Sequence, residues 1–330
     1  MGKHNKTKEK KKKKKSGSKI FVIILIILLI LGIWFAKKMY DLDGNWLAVL
    51  MGHNKNTVKN LEKLDILILG ESTGSTDTII ICRYDPKTGE AGMLSIPRDT
   101  FIGDNPSQAK AHHKINSLYM SNGEGPQKML EAVNKVTGLE IKNYIEIDTQ
   151  VLIEMVELIG GLEFDVPIDM KYDDYSQDLH IDLQAGYQKL SGKQVEWLVR
   201  FRHDNYGNTY PYEYGIEDYG RMRTQRAVIK ALASQTIKLK NVKEIGNIID
   251  ILEQYVETNM DFKKIKDYIP YAVNINMDLL QAEQLPGVSE KLNGIWFFLP
   301  DKEETPIIVD KIFNTIEEEP VEEDANEITE

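Results

Sequence analysis

Apolar residues fall along this chain in a few distinct rhythms, and the first is unbroken. Ile20 to Ala36 (IFVIILIILLILGIWFA) is 17 residues without a charge. As a helix rising about 1.5 Å per residue, it reaches the short limit for crossing a bilayer. A core helix rarely carries Leu, Ile, Val and Phe on every face, and Lys19, Lys37 and Lys38 flank the run where they can snorkel. A cleaved signal peptide is the nearer alternative. Trp34, Phe35, Lys37 and Lys38 stand where a small-x-small cleavage site would be, so the run reads as an uncleaved anchor.

Shorter rhythms follow. Lys37 to Asn60 mixes Gly44, Gly52 and several Asn with apolar residues and reads as a stalk, partly helical. Asp65 to Leu69 (DILIL), closed by Gly70, and the β-branched run Thr78 to Arg83 predict buried strands, with a polar loop, Glu71 to Thr76, between them. The turn Asp85-Pro86-Lys87-Thr88-Gly89 joins the second strand to Gly92 to Ile96 as a hairpin. Met129, Leu130, Val133 and Val136 recur at helical spacing in Gly125 to Thr137, with Gly138 as C-cap. Tyr144 to Ile147 predicts a strand, Val151 to Ile159 a helix stopped by Gly160-Gly161, and Leu162 to Val166 a strand ended by Pro167. Ser191 to Val199 and Tyr219 to Lys238 are helical by pattern. From Asn241 come two further helical patterns, then strand-like Ala282 to Leu285 and Ile295 to Leu299.

Strands interspersed with helices predict an α/β fold, a single α-β-α sandwich with a central mixed sheet, since the hairpin excludes a purely parallel one. The expected organisation is a basic tail over residues 1–19, one transmembrane helix over 20–36, the stalk over 37–60, one folded domain over 61–315 and a disordered acidic tail over 316–330.

Charge orients this plan. Residues 1–19 hold ten lysines against one acid, Glu9, and such a segment repels itself and stays solvated. Only Lys37 and Lys38 follow the anchor closely, so the positive-inside bias places the N-terminus in the cytoplasm and the folded domain outside it, extracytoplasmic. The whole chain carries a formal net charge of −10 despite the basic tail, which makes the external part strongly acidic and argues against a nucleic-acid partner. Cys82 is the sole cysteine: no intrachain disulfide can form, and a Cys inside the apolar run Ile79 to Cys82 reads as an inert buried residue.

Four places concentrate charge beside expected strand ends and helix starts, where α/β proteins build sites: Asp77, Arg98-Asp99, Arg200-Phe201-Arg202, and Asp218 through Arg226. On a helix, Asp218, Arg221 and Gln225 share one face, and Asp218 is also an N-cap candidate. An ion pair on a solvated helix is the ordinary explanation for that spacing. An extended Arg200-Phe201-Arg202 would set two guanidinium groups on one side, so an anion is expected between them, either an acidic side chain or a diphosphate matched by the guanidinium forks. Asp77 alone reads as a loop cap; with pyrophosphate present it becomes a reasonable Mg²⁺ ligand. His112-His113 lacks the partner spacing of a zinc site and reads as a surface pair.

Taken in order, Thr76-Asp77-Thr78, Leu94-Ser95-Ile96-Pro97-Arg98-Asp99, Lys114-Ile115-Asn116, Ile159-Gly160-Gly161-Leu162, Arg200-Phe201-Arg202 and Asp218-Tyr219-Gly220-Arg221 resemble the LytR-CpsA-Psr proteins, which attach anionic glycopolymers to peptidoglycan. The similarity covers roughly Asp65 to Leu239, is weaker to about Ile312, and takes in the basic tail and anchor. It implies a pocket for pyrophosphate and Mg²⁺, with Mn²⁺ as an alternative ion. The family's metal-binding aspartate falls on Asp77, its arginine beside the phosphates on Arg98, its paired arginines on Arg200 and Arg202, and its later Asp, Arg and Gln on Asp218, Arg221 and Gln225. Where many relatives have Asp and Arg, this chain has Ser72 and Ser75, with Glu71 the available substitute carboxylate; a frequent helix arginine is Thr224. Tyr206 to Glu217 reads as an insertion whose tyrosines either stack on sugar or pack the loop.

The implied activity is transfer of a teichoic acid or capsular-type polysaccharide from a polyprenyl-pyrophosphate carrier to peptidoglycan at the membrane of a Gram-positive-type envelope, the prenyl tail lying in an apolar tunnel. Asp99 or Asp218 is the candidate base toward the acceptor hydroxyl, with Arg98 and Arg221 at the phosphates. Two rivals remain at this point: a hydrolase in which water replaces the sugar, and a non-catalytic membrane regulator or glycan-binding module.

Overall fold

The computed structural model describes residues 17–72, 75–120, 123–238 and 244–313. The basic tail up to residue 16 and the acidic tail lie outside the described residues. The chain divides into two compact units, Met1–Asn60 and Leu61–Glu330.

In the first unit, helix α1 (Gly17–Asp41) contains the whole apolar run. Its side chains are described from Ile27 onward; Ile27 to Leu31, Ile33 and Trp34 are each at least 50% exposed. Among the described residues no helix is long and apolar enough to cross a membrane. The stalk holds two short helices, α2 (Trp46–Leu50), capped by the Asn45 side chain on the Ala48 N–H, and α3 (Lys55–Asn60).

In the second unit the first three strands are β1 (Leu64–Ser72), β2 (Ser75–Tyr84) and β3 (Ala91–Ser95). Then come α4 (Gly125–Thr137), β4 (Asn143–Ile147), α5 (Thr149–Leu158) and β5 (Leu162–Val166). They are followed by β6 (Met170–Asp174), β7 (Leu179–Leu183), β8 (Gly186–Leu190), α6 (Gly192–Arg200) and α7 (Asp218–Thr236). The last elements are α8 (Ile245–Tyr255), β9 (Val256–Thr258), α9 (Phe262–Ala272), β10 (Gln281–Gln284), β11 (Gly287–Leu292), β12 (Ile295–Pro300) and α10 (Glu304–Phe313).

The central sheet has six strands in the order β10-β3-β2-β1-β4-β9. It is mixed: β1–β2, β2–β3 and β4–β9 run antiparallel, whereas β1–β4 and β3–β10 run parallel. Alternation along the strands puts Leu67 and Leu69, Ile79 and Ile81, and Leu94 and Ile96 on one face. There they pack against Met129, Leu130 and Val133 of α4 and Val309, Ile312 and Phe313 of α10, each such burial contributing about 1.5–3 kcal/mol. Helix α5 also contacts β1, and α7 contacts β3. A second core joins α5, α6 and α7 to two small two-stranded sheets, β5 with β8 and β6 with β7, through Val156, Leu162, Met170, Ile181, Leu190, Val195, Leu198 and Val228.

Most predicted elements are present, with three differences. The stretch expected as a polar loop, Glu71 to Thr76, is largely strand, because cross-strand pairing continues beyond Gly70 through a register shift to Ser72↔Ser75. Strands β6, β7, β8, β9 and β11 and helix α10 were not anticipated. Finally, Arg200-Phe201-Arg202 is not a strand: Arg200 ends α6, and Phe201 is its C-cap, extended at φ −61°, ψ 132° with its ring buried. The Ser191 capping box, in which Ser191 and Gln194 bond each other's backbone N–H, starts that helix nine residues earlier and so fixes where Arg200 falls.

Candidate active site

Between the end of the central sheet and helices α5, α6 and α7 lies a cavity of about 320 Å³. Its floor is Gly70, Glu71, Asp77 and Thr78 of β1 and β2. The pairing here explains why Asp77 faces the cavity. Gly70 pairs with Thr78 and Glu71 with Thr76, so Asp77 is the extra residue of a β-bulge and has no cross-strand partner, a device that re-aims a side chain. The Thr76 hydroxyl pins the bulge, lying 3.0 Å from the Gly70 carbonyl oxygen and 3.1 Å from that of Thr78.

Arg98 arrives from the end of β3. Buried Ile96 anchors the segment, and the Lys114-Ile115-Asn116 motif holds it by backbone bonds from Ile115 N–H to Thr100 and from Asn116 N–H to Arg98. Arg221 and Gln225 come from one face of α7, Arg200 from the last turn of α6 and Arg202 from just beyond it. Arg98, Arg200, Arg202 and Arg221 all line the one cavity, with Gln225, whose Nε2 donates to the Val199 carbonyl at 3.1 Å.

A chain of ion pairs runs through the group. Arg98 Nη1 is 2.5 Å from Asp77 Oδ1 and Arg98 Nε 3.2 Å from Asp218 Oδ2. Arg221 reaches Asp218 at 2.9 Å and Asp77 at 3.8 Å. Arg202 pairs with Glu217 at 2.6 Å and lies 3.6 Å from Asp218. Arg200 donates to Glu196 at 2.9 Å and to Gln177 at 2.8 Å. The anion expected between Arg200 and Arg202 is thus, within the protein, a separate carboxylate for each.

Charge states follow from this packing. Burial would raise the Asp218 carboxyl, but Arg221, Arg98 and Arg202 outweigh it and hold it below the usual range. Burial lowers Arg221 against the pull of Asp218 and Asp77, while for Arg98 the same two carboxylates outweigh burial and the net shift is upward. Nε of Arg98, Arg202 and Arg221 and Oδ1 of Asp218 are buried without a well-formed hydrogen bond. The cluster therefore keeps hydrogen-bonding capacity that protein groups do not fill, as a pocket for a multiply charged anion requires.

Glu71 and Asp77 are the floor carboxylates able to take a hard cation; Asp148, also in the wall, is committed to capping α5 through the Val151 N–H at 3.0 Å. Among the described residues no group of three or more His, Cys, Asp or Glu could hold a metal by itself. A cation here would complete its shell with oxygens of a bound ligand, the habit of Mg²⁺.

Not every candidate converges. Asp99 is absent from the cavity wall; its carboxylate lies 2.8 Å from Lys114 Nζ. Asp218 is the first residue of α7 rather than its N-cap, a place taken by Glu217 at φ 48°. Thr224 is buried and within 3.1 Å of the Tyr214 hydroxyl. The side chains of Ser72 and Ser75 are outside the described residues. In the insertion, Tyr210 is buried and stacks on Tyr214, whereas Tyr206 and Tyr212 are exposed. The residues not foreseen are Gln177, His203, Tyr172 and the buried Glu196; of these only Glu196, four residues before Arg200 on a helical pattern, carried a sequence signal.

The cavity wall also includes the apolar side chains of Ile147, Leu152, Leu179, Val199, Val228 and Ile229. Guanidinium groups and hydrocarbon side chains thus share one cavity wall.

The polyisoprenyl-teichoic acid–peptidoglycan teichoic acid transferase TagU of Oceanobacillus iheyensis is 26% identical over 271 residues, 79% of this chain and 78% of that one. The regulatory protein MsrR of Staphylococcus aureus is 30% identical over 208 residues, 62% of this chain and 58% of that protein. The crystal structure of B. subtilis TagV superposes with a TM-score of 0.61 at 22% identity, covering 78% of this chain and 99% of TagV, and so shares the fold. The family model for LytR_cpsA_psr matches residues 3–313, nearly the full length, and the chain belongs to the LytR_cpsA_psr family.

Proposed function

We propose that this protein is a membrane-anchored transferase that moves an anionic glycan from a polyprenyl-pyrophosphate carrier to peptidoglycan, outside the cytoplasm. The observation that carries the reading is one cavity lined both by four arginines and by apolar side chains, which matches a diphosphate joined to a hydrocarbon chain. The name of the similar O. iheyensis TagU supports a teichoic acid as the glycan and peptidoglycan as acceptor. The exposed apolar residues of α1 and the ten lysines within residues 1–19 support a single-pass anchor with its N-terminus in the cytoplasm.

The reaction is in-line attack of an acceptor sugar hydroxyl on the glycan-side phosphorus, with polyprenyl phosphate leaving. Arg98, Arg200, Arg202 and Arg221 hold the diphosphate oxygens and stabilise the negative charge that shifts onto them, a contribution of about 3 kcal/mol per well-placed donor. Asp77 and Asp218 keep the guanidinium forks of Arg98 and Arg221 in place through the pairs described above. Asp77, with Glu71 beside it on the floor, would hold Mg²⁺ or Mn²⁺, which when bound supplies further charge neutralisation at the phosphate oxygens. The apolar side chains of the lining bind the prenyl tail, contributing about 25 cal/mol for each Å² of hydrocarbon removed from water.

The test is product analysis. Full-length protein is incubated with a lipid-pyrophosphate-linked glycan, peptidoglycan fragments and Mg²⁺, and the products are weighed by mass spectrometry. A new phosphodiester to peptidoglycan is expected, and Arg200→Ala should abolish it without unfolding the protein. Free phosphorylated glycan as the sole product would make the protein a hydrolase instead.

A further inference from the structure

A sugar hydroxyl attacks phosphorus only as its proton leaves, and the two carboxylates put forward as base are poorly placed to take it. Asp99 faces Lys114 and is not in the cavity wall. Asp218 is shared among Arg98, Arg202 and Arg221, which stabilise its charged form and weaken it as a base. His203 does line the cavity, next in the chain to Arg202. Its Nδ1 is 2.8 Å from the Asp204 carbonyl oxygen. A carbonyl can only accept, so Nδ1 carries the hydrogen and the neutral ring offers Nε2 as its lone-pair acceptor. The ring is steadied by Tyr172, edge-on at 5.9 Å between centroids, and the backbone by the bridge to Thr209.

We propose that His203 is the general base of the transfer, an inference that rests on the transferase reading above. Nε2 takes the proton of the acceptor hydroxyl as its oxygen bonds to the glycan-side phosphorus. The bond from that phosphorus to the bridging oxygen breaks, and its electron pair leaves with polyprenyl phosphate. The imidazolium then returns its proton to solvent, so no co-reactant is consumed. Ionisable groups that share the wall with His203 include Arg200 at the end of α6, Arg202 just beyond it, Arg221 of α7 and Tyr172 of β6, and Asp204 is next in the chain. Asp204 turns its carboxylate to the N–H groups of Tyr206 and Asn208 and does not compete for the proton.

The experiment uses the full-length chain in detergent micelles, with a short-chain polyprenyl-pyrophosphoryl N-acetylglucosamine as donor and peptidoglycan fragments as acceptor. Wild-type turnover should rise along an acidic limb as imidazole loses its proton and then level off. His203→Gln should lower turnover by about a hundredfold or more, keep donor binding within a few-fold, and lose that limb. Added imidazole should restore part of the turnover of His203→Ala. Turnover of His203→Gln within a few-fold of wild type, with the limb intact, would overturn the proposal. Loss of donor binding together with turnover, without imidazole rescue, would also overturn it, as a structural role. If the wild-type protein forms no phosphodiester at all, the transferase reading itself falls, a result distinct from a selective loss in the variants.

Discussion

Arg98 Nη1 and Asp77 Oδ1 meet at 2.5 Å although the residues are 21 positions apart in the chain. The bulge at Gly70/Glu71 makes this possible, since it leaves Asp77 unpaired in the ladder and turns it toward the arginines. Asp77 therefore has two jobs in the proposed reaction, holding Arg98 and taking the divalent ion. Asp77→Asn preserves shape and removes the charge that both jobs need. Turnover should fall roughly a hundredfold, and the Mg²⁺ concentration giving half-maximal rate should rise. A Mg²⁺ titration curve that overlays the wild-type one would remove Asp77 from the metal site and leave it an arginine support only.

Asp218 is the hub of the buried charges. Without it, Arg221, whose side chain is 8% exposed, keeps only Asp77 at 3.8 Å. Breaking a buried pair in this way costs about 3 kcal/mol, so Asp218→Asn should lower the urea midpoint at pH 7. The pH dependence has a definite sign. The folded carboxyl is held below its unfolded value of about 3.9. Its stabilising contribution is therefore complete above about pH 4 and is lost as pH falls through the folded value. The gap between wild type and Asp218→Asn should hold down to about pH 4 and shrink as pH falls below it; a gap that stays constant below about pH 4 would put the stability difference elsewhere.

Cys82 makes a simpler case. It sits half-buried in β2 within the central sheet rather than fully buried as the apolar run suggested, and desolvation pushes its thiol up to about 12. At pH 8 only about one part in ten thousand is then thiolate, the reactive form. A thiol reagent such as dithionitrobenzoate should leave the native protein unlabelled for hours and modify it fully in denaturant. Rapid labelling under native conditions would mean that β2 opens locally.

How much of this was legible beforehand depends on the range of the interaction that decides each feature. Helix α4 was readable to the residue because Gly125, the 3.6-residue rhythm and Gly138 at φ 75° are local signals. The hairpin from β2 to β3 was readable from its turn. Strands β6 and β7 were not, although Leu179, Ile181 and Leu183 alternate with His180 and Asp182, because five residues of alternation among polar neighbours is a weak pattern until the partner strand is known. At the site, motif order brought Asp77, Arg98, Arg202, Arg221 and Gln225 to one cavity, as the spacing of charges alone could not. Arg200-Phe201-Arg202 was misread as a strand because the capping box that sets its helix lies nine residues upstream. Asp99 looked equivalent to Arg98 in sequence, and only the position of Lys114, in a separate segment, draws it away. His203 gave no signal, since a lone histidine acquires meaning only from the carbonyl and tyrosine that orient it.

Gly220 shows how closely the arginine cluster depends on packing outside it. A Cβ at this position would lie 2.3 Å from the Gly215 carbonyl oxygen and 2.3 Å from the Tyr210 ring. Neither can give way easily: one is backbone, and Tyr210 is buried, stacked on Tyr214 and bonded through its hydroxyl to the Phe201 carbonyl at 3.1 Å. Gly220→Ala should therefore push the first turn of α7 outward, carrying Asp218 and Arg221 off their partners. Overpacking of this kind costs about 1–3 kcal/mol, and transfer should fall by more than the loss of folded protein explains. Gly246→Ala is the matched control, because a Cβ there meets nothing within 4 Å on α8 and should stabilise by about 0.5–1 kcal/mol. Denaturant unfolding and turnover measured on both variants separate the outcomes. If Gly220→Ala keeps wild-type stability and activity, the start of α7 is not held by this contact, and the placement of Arg221 must come from its carboxylates alone.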